Sequence, residues 1–349
     1  MTAVSVLDPR HDPEPSGWRE FCRDRQLHPV WDYELMRVEG WLARNPTLLA
    51  LVRTDDRIVA AFALLACAPT RGTRFAPAGT AATLRRGVRW IEVYQPWLSG
   101  YPGCVFAPDL DAAGRKEIVR LVERELRTRC GAGFLGMLYR NADAELLDAI
   151  GGRARIARGS GAVAVLPISW GDHADWLATL GRNRRGDLRR RARVVAADTD
   201  LVVRGGAGRT DIDPYQASTL LNEHRRRHGR IALDTRSAVG TEFLAAFLPD
   251  PRVHTLTYRD SSGRLLAMCT LLDHPHSPVL QHWAALPLSE GGRKHLYFDA
   301  QFRAVCWAVD NGRAEITSGR GLLEVKASLG FRPRQLSSVL ALRPALGRS

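Results

Sequence analysis

The chain has 349 residues, 45% hydrophobic and 25% charged, which is the balance of a globular protein long enough for two domains that each bury a core. Its formal charge is +13, an excess that invites a nucleic-acid partner. Only Lys116, Lys294 and Lys326 are lysines, so an arginine-rich composition is the plainer account of that charge, and no DNA partner is expected. Six cysteines without any C-x-x-C pair exclude both a disulfide framework and a zinc site.

The first stretch, MTAVSVLDPRHDPEPSG, lacks the apolar core of a signal peptide, and residues 1–30 read as an N-terminal extension. The longest apolar run, Ile58 to Ala68, is too short to span a bilayer and ends at Pro69. A soluble, cytoplasmic protein without membrane insertion is expected.

Three pieces of the chain recur in the same order. Leu48–Ala66 (LLALVRTDDRIVAAFALLA) parallels Val253–Leu272 (VHTLTYRDSSGRLLAMCTLL), two strands joined by a polar turn. Asp111–Gly133 (DAAGRKEIVRLVERELRTRCGAG) parallels Ser289–Gly312 (SEGGRKHLYFDAQFRAVCWAVDNG), a glycine-Arg-Lys loop leading into a helix. Ile150–Pro167 parallels Leu329–Pro344, a helix end followed by a strand. Two copies of one α/β fold with a mixed sheet follow, spanning 31–167 and 168–349 and joined near Pro167. Within the first copy, Trp90–Gly103 is aromatic and glycine-rich, either core or groove lining.

After the join, Arg182, Arg185, Arg189 and Arg193 recur at spacings of three and four and share one helix face. Such a face either meets a phosphate or is simply solvated. His224-Arg-Arg-Arg-His228 has the spacing of half a metal site, but the intervening arginines oppose a metal and no third ligand is apparent, so none is expected. A helix face reaching into a substrate groove suits His224 better. His274 and His276 flank Pro275 in a turn at the surface.

From Ser277 to Arg334 the pattern is a strand (Val279 to Leu286), a loop Ser289-Glu290-Gly291-Gly292-Arg293-Lys294, and a helix from His295 to Asp310. A short strand (Ala314 to Thr317), a Ser318-Gly319-Arg320-Gly321 turn and a second helix with Glu324 and Lys326 complete it. A strand, glycine loop and helix form the recipe for holding a phosphate, because glycine lets the backbone approach and the helix start offers free N–H groups. The copies differ here. Counting back from Gly151 and Gly330, Glu145 falls opposite Glu324 but Leu147 opposite Lys326, and Ala113-Gly114 stands for Gly291-Gly292. The second copy is therefore read as the working one.

The segment SGRGLLEVKASLGFRP (Ser318–Pro333) and the preceding helix ending Asp310-Asn311-Gly312 resemble the C-terminal half of the GNAT acyltransferase superfamily, especially its two-domain branch of CelD-like and Fem-type proteins. Val325 stands where that branch often has an aromatic residue. The resemblance implies tandem GNAT-like acyltransferase domains, with the N-terminal one non-catalytic. It implies transfer of an acyl group, acetyl being the simplest case, from acyl-CoA to a small-molecule or cell-wall-precursor amine. An aminoacyl-tRNA-dependent Fem-type transferase is the alternative, with tRNA as partner, and a non-catalytic ligand-binding protein is the third reading. Donor phosphates would be held by Ser289, Gly291, Gly292, Arg293, Lys294 and His295. A backbone N–H between Trp283 and Leu286 would polarise the carbonyl. Lys326 would stabilise charge in the transfer or bind donor phosphate, unless it is salt-bridged to Glu324 or an Asp. His282 and Glu324 are the candidate bases, His282 being equally a core histidine, with His295, Tyr297 and Asp299 behind them. Arg185, Arg189, His224 and Arg320 would contact substrate.

Overall fold

The computed structural model describes residues 1–69, 83–84, 87–152, 154–228 and 235–348. The chain forms two compact units. The first comprises Met1–Ala162, Thr235–Ala238 and Gln335–Ser349; the second comprises Val163–Asp234 and Val239–Arg334.

The first unit begins with β1 (Thr2–Leu7), followed by α1 (Trp18–Asp24) and α2 (Tyr33–Leu42). A hairpin of β2 (Thr47–Thr54) and β3 (Arg57–Cys67) turns at Asp55 and Asp56, both with positive φ. Then come β4 (Arg89–Val93), the short β5 (Cys104–Phe106), α3 (Ala112–Cys130), β6 (Phe134–Ala142), α4 (Ala144–Ile150) and β7 (Arg155–Pro167). Residues 1–30 are not an appendage. Alternation in Thr2–Leu7 lets β1 pair with β2 from Thr2–Thr54 to Leu7–Leu49, and Trp18 and Phe21 of α1 are buried.

The second unit contains α5 (His173–Thr179), α6 (Arg182–Ala196), β8 (Leu201–Ala207), α7 (Pro214–His228), α8 (Thr241–Phe247), β9 (Val253–Asp260), β10 (Leu265–Leu272) and β11 (Val279–Ala285). It continues with α9 (Leu296–Asp310), β12 (Glu315–Ser318), α10 (Leu323–Ala327) and β13 (Arg332–Leu342). Sheet order in the first unit is β1-β2-β3-β4-β6-β13, with β5 beside β3; in the second it is β8-β9-β10-β11-β12-β7. In both, one parallel pair (β4 with β6, β11 with β12) interrupts antiparallel neighbours. The duplication thus extends to β1 and β8 and the helix pairs after them. The final strands are exchanged. Gln335–Leu342 of β13 completes the first sheet against β6, and Val163–Pro167 of β7 completes the second against β12. The division accordingly falls inside β7, a few residues before Pro167.

In the second unit α9 buries Leu296, Ala300, Ala304, Val305 and Ala308 against Tyr258, Ala267, Cys269, Leu271 and Leu280. Each core encloses a satisfied carboxylate. Glu123 receives the Tyr139 hydroxyl at 2.7 Å and the Arg155 guanidinium at 2.6 and 2.8 Å; Asp299 receives the Tyr258 hydroxyl at 2.8 Å and Arg303 at 2.6 Å. Asp299 is therefore committed to the core and is not a base.

Glu39 on α2 is buried and accepts the Thr47 hydroxyl, and burial pushes its carboxyl from 4.5 up to about 7. An acid raised in the folded state gives stability that is full below about pH 4.5 and is lost as pH climbs through about 7. Glu39→Gln should remove this slope. The difference in unfolding free energy between variant and wild type is then expected to change by up to about 3 kcal/mol between pH 4.5 and 8 in denaturant titrations; a pH-independent difference would contradict it.

Candidate active site

β11 and β12 run parallel through only two pairs, Val279–Thr317 and Leu280–Ser318, and then part. The cause lies in β11. Between the pairs Met268–Ala284 and Thr270–Gln281, β10 advances two residues while β11 advances three, so β11 carries a bulge. His282 sits in it at φ +52°, a left-handed conformation costly for a side-chain-bearing residue. The Thr270 hydroxyl bonds its Nδ1 at 2.9 Å and Phe247 meets its ring edge-on at 5.5 Å. Expected as a base, His282 is placed as the residue that holds the bulge.

At the apex of the opening Lys326 meets the end of β12, where Gly319 O also accepts the Ala164 N–H of β7 at 3.2 Å. Its ammonium, 3% exposed, donates to Ser318 O and to Gly319 O at 3.2 Å. Among the described residues it forms no ion pair, with Glu324 or any Asp, and Glu324 is exposed. Burial lowers the Lys326 pKa from 10.5 to about 8. Ser318 Oγ is fixed in turn by Gln301 of α9 at 2.9 Å.

Beyond β11 the chain makes a short 3-10 turn, Leu288–Glu290, which exposes Ser289. Gly291 has φ +88°, and a Cβ on Gly292 would lie 2.2 Å from Leu286 O, so neither position admits a side chain. Arg293 is tied to Asp200 at 2.7 Å, Asp198 at 3.2 Å and Gly291 O at 2.7 Å, shaping the loop instead of presenting a free charge. Lys294 is exposed, with no ion pair among the described residues. His295 is half-buried at the helix start, and burial, then Arg191 and Arg190, hold its imidazole below the ordinary value. No side chain caps α9, so its first-turn N–H groups face outward uncapped.

The equivalent place in the first unit is closed by the chain itself. β4 pairs with β6 from Arg89–Phe134 to its last residue at Val93–Tyr139, with one register shift between Arg89 and Ile91. Asp111 caps α3 through the Gly114 N–H at 2.7 Å, and Arg115 and Lys116 are ion-paired with Glu145 and with Asp148, the latter at 3.1 Å.

The arginine helix α6 is oriented by its apolar residues. Leu188 and Val195 are buried, so Arg184 and Arg191, four before and three after Leu188, turn inward. Their guanidiniums lie 5.4 and 3.8 Å from the Phe298 ring in the first turn of α9, and Asp187 links them and Arg190. Arg184, Arg190 and Arg191 are thus the arginines beside the start of α9. Arg182, Arg189 and Arg193 face solvent, and Arg185 donates to Ala178 O at 3.1 Å. Leu188 was the signal that the arginine spacing alone overlooked. Arg320 is exposed in the turn after β12.

His224 and Arg227 of α7 reach the free edge of β11. Leu286 N–H bonds Leu266 O, so the groups of Ala285 point away from β10, and they are met by His224 Nδ1 (3.4 Å from the N–H nitrogen) and by Arg227 Nη2 (2.7 Å from the carbonyl). A cavity of about 460 Å³ lies beside Leu286, lined among others by Tyr215, Thr219, Glu223, Arg264 and Glu290. Among the described residues no three His, Cys, Asp or Glu side chains gather as a metal site, and no helix is long and apolar enough to cross a membrane.

A sheet opened between parallel strands, followed by a glycine loop and an uncapped helix, defines a GNAT-like unit, and the chain carries the two-unit form of that acyltransferase fold. Solved structures agree on the fold. L-PGS from Bacillus licheniformis superposes with a TM-score of 0.55 at 11% identity, over 97% of this chain and 98% of that one. FemX gives 0.56 at 11% identity over 95% and 97%. A tandem GNAT protein from the clavulanic acid biosynthesis pathway gives 0.50 at 13% identity over 98% and 99%. No protein-family model matches the chain, and no curated protein matches it by sequence.

Lys326 carries a signed prediction. A lysine depressed on folding adds stability that is full above its unfolded value of 10.5 and is lost as pH falls through about 8. Stability should therefore rise between pH 8 and 10.5, and Lys326→Met should flatten that rise in chemical denaturation; an unchanged slope would show that the ammonium is not desolvated.

Proposed function

We propose that the second unit is an N-acyltransferase that takes an acyl group, acetyl in the simplest case, from acyl-CoA and passes it to an amine. The observation that carries this reading is the contrast between the two units. The first unit's helix start is capped by Asp111 and its basic pair is neutralised, whereas α9 is uncapped and Lys294 is exposed beside it. An anion is favoured at the second and disfavoured at the first.

In this reading the donor's phosphates lie on the loop of Gly291, Gly292 and Lys294 and on the first turn of α9, with Ser289 and His295 at its rim. Arg293 acts through the loop it shapes. The acyl arm enters the opening between β11 and β12. There an edge N–H of β11, that of Ala285, meets the carbonyl oxygen and strengthens its hold as negative charge develops. Lys326 positions the apex by holding Ser318 and Gly319, and Glu324 is an exposed carboxylate on the same short helix. The amine acceptor approaches from the cavity beside Leu286, where Glu223 and Glu290 suit a cationic or neutral amine. The donor is read as a substrate, and no metal is required.

A second reading, transfer from aminoacyl-tRNA, is favoured by one observation: Arg182, Arg189 and Arg193 stand exposed along one face of α6. The two donors separate on salt. Acetyl-CoA binding measured by calorimetry should survive Gly114→Ala and be lost in Gly292→Ala, with modest salt dependence. Equal effects of the two substitutions would contradict donor binding at the second unit. If tRNA binds instead, with a steep slope that Arg189→Ala and Arg193→Ala each reduce by about one unit, the second reading replaces the first.

A further inference from the structure

The edge of β11 that an acyl donor would use is already occupied in the free protein. Ala285 presents its N–H and carbonyl outward, and α7 answers both, with His224 Nδ1 as acceptor and Arg227 Nη2 as donor. Because Nδ1 accepts, the proton of the neutral ring resides on Nε2 and the Nδ1 lone pair lies on the strand edge.

We propose that His224 is the general base of the transfer, and that in the free protein its Nδ1 keeps the place of the donor's carbonyl oxygen on the Ala285 N–H. This rests on the acyl-transfer reading above. When a thioester carbonyl takes that N–H, Nδ1 is released with its lone pair beside the carbon to be attacked; the neighbouring Glu223 lines the cavity beside Leu286 from which the amine would come. The neutral amine adds to the thioester carbon while its proton passes to Nδ1. The C–S bond then breaks, and the imidazolium returns the proton to the departing thiolate. An amide and a free thiol result, and the ring is neutral again.

The surroundings suit the role. Burial, followed by the ring of His228 at 4.7 Å between centroids, holds the His224 imidazole below its ordinary value, so it is unprotonated at neutral pH. Arg227 faces it from the same helix and adds to that effect. Glu290, after β11, lies 4.0 Å from the Arg227 guanidinium, and Glu223 lies 3.4 Å from Arg226. Both carboxylates therefore face arginines, and among the described residues neither is hydrogen-bonded to the ring.

The test is thiol release from acetyl-CoA with a panel of primary amines, as a function of pH, for wild type, His224→Ala and His224→Gln. Glutamine can accept the Ala285 N–H but takes no proton, so it preserves a merely structural contact. Both variants are expected to lose about 10²- to 10⁴-fold in kcat, to keep the KM for acetyl-CoA within about 3-fold, and to lose the acid limb of the pH profile. A His224→Gln protein with wild-type kcat, or one retaining the acid limb, overturns the assignment. If the wild type turns over no amine, the acyl-CoA reading is what fails, and nitrogen NMR of the His224 ring decides the base assignment separately. An unprotonated Nδ1 at pH 7 that shifts when a non-hydrolysable acyl-CoA analogue or an aminoacyl ester is added sustains it; a protonated or unresponsive Nδ1 overturns it.

Discussion

One extra residue in β11 governs the rest of the second unit. With the bulge at His282, the strand leaves β12 after two pairs. Backbone groups that a regular sheet would satisfy must then find other partners. His224 with Arg227 meets those of Ala285, and Lys326 adds its ammonium to the carbonyls of Ser318 and Gly319 at the end of β12. Thr270 and Phe247 keep the strained histidine in place. The opening is thus held by polar contacts at its edges and lined by backbone between them.

The first unit shows the same topology without that parting. There β4, despite one register shift after Arg89, stays paired with β6 to its last residue, and Glu92, 1% exposed, collects Arg140 at 2.9 Å, Trp90 Nε1 at 3.0 Å and the Thr235 hydroxyl at 2.8 Å. A buried carboxylate so fully bonded specifies one closed arrangement. One copy has kept a rigid interior and neutralised its helix start, and the other has kept an opening and an uncapped helix. The fold is shared; the surroundings of the helix start are not.

Much of the fold was legible in the sequence because duplication makes local patterns confirm each other. The hairpins, the helices after each Gly-Arg-Lys and the terminal strands stand where the matched segments put them, except that Gly114-Arg115-Lys116 lies inside α3 and only the second Gly-Arg-Lys is a loop. β1 was missed, since Thr2–Leu7 is short and its partner strand lies some forty residues on. The exchange of β7 and β13 was beyond reach, because strand neighbours are set by sheet pairing and leave no mark in either strand alone. Within the site, glycine needs were visible, but the partners of charges were not. Arg293 looked like a phosphate ligand until Asp198 and Asp200 claimed it. His282 looked like a base because nothing in QHWAA announces a bulge. Arg184 and Arg191 were hidden by a regular run of outward arginines, although the buried Leu188 marked their face.

The central claim is that only the second unit's opening receives an acyl donor. Hydrogen–deuterium exchange with and without acetyl-CoA tests it most directly. Slowed exchange is predicted in Val279–Leu296 and in Thr317–Leu322, with Arg89–Gln95 and Phe134–Ala142 unchanged. Protection appearing in the first unit's segments, or in neither unit at saturating donor, would contradict the account.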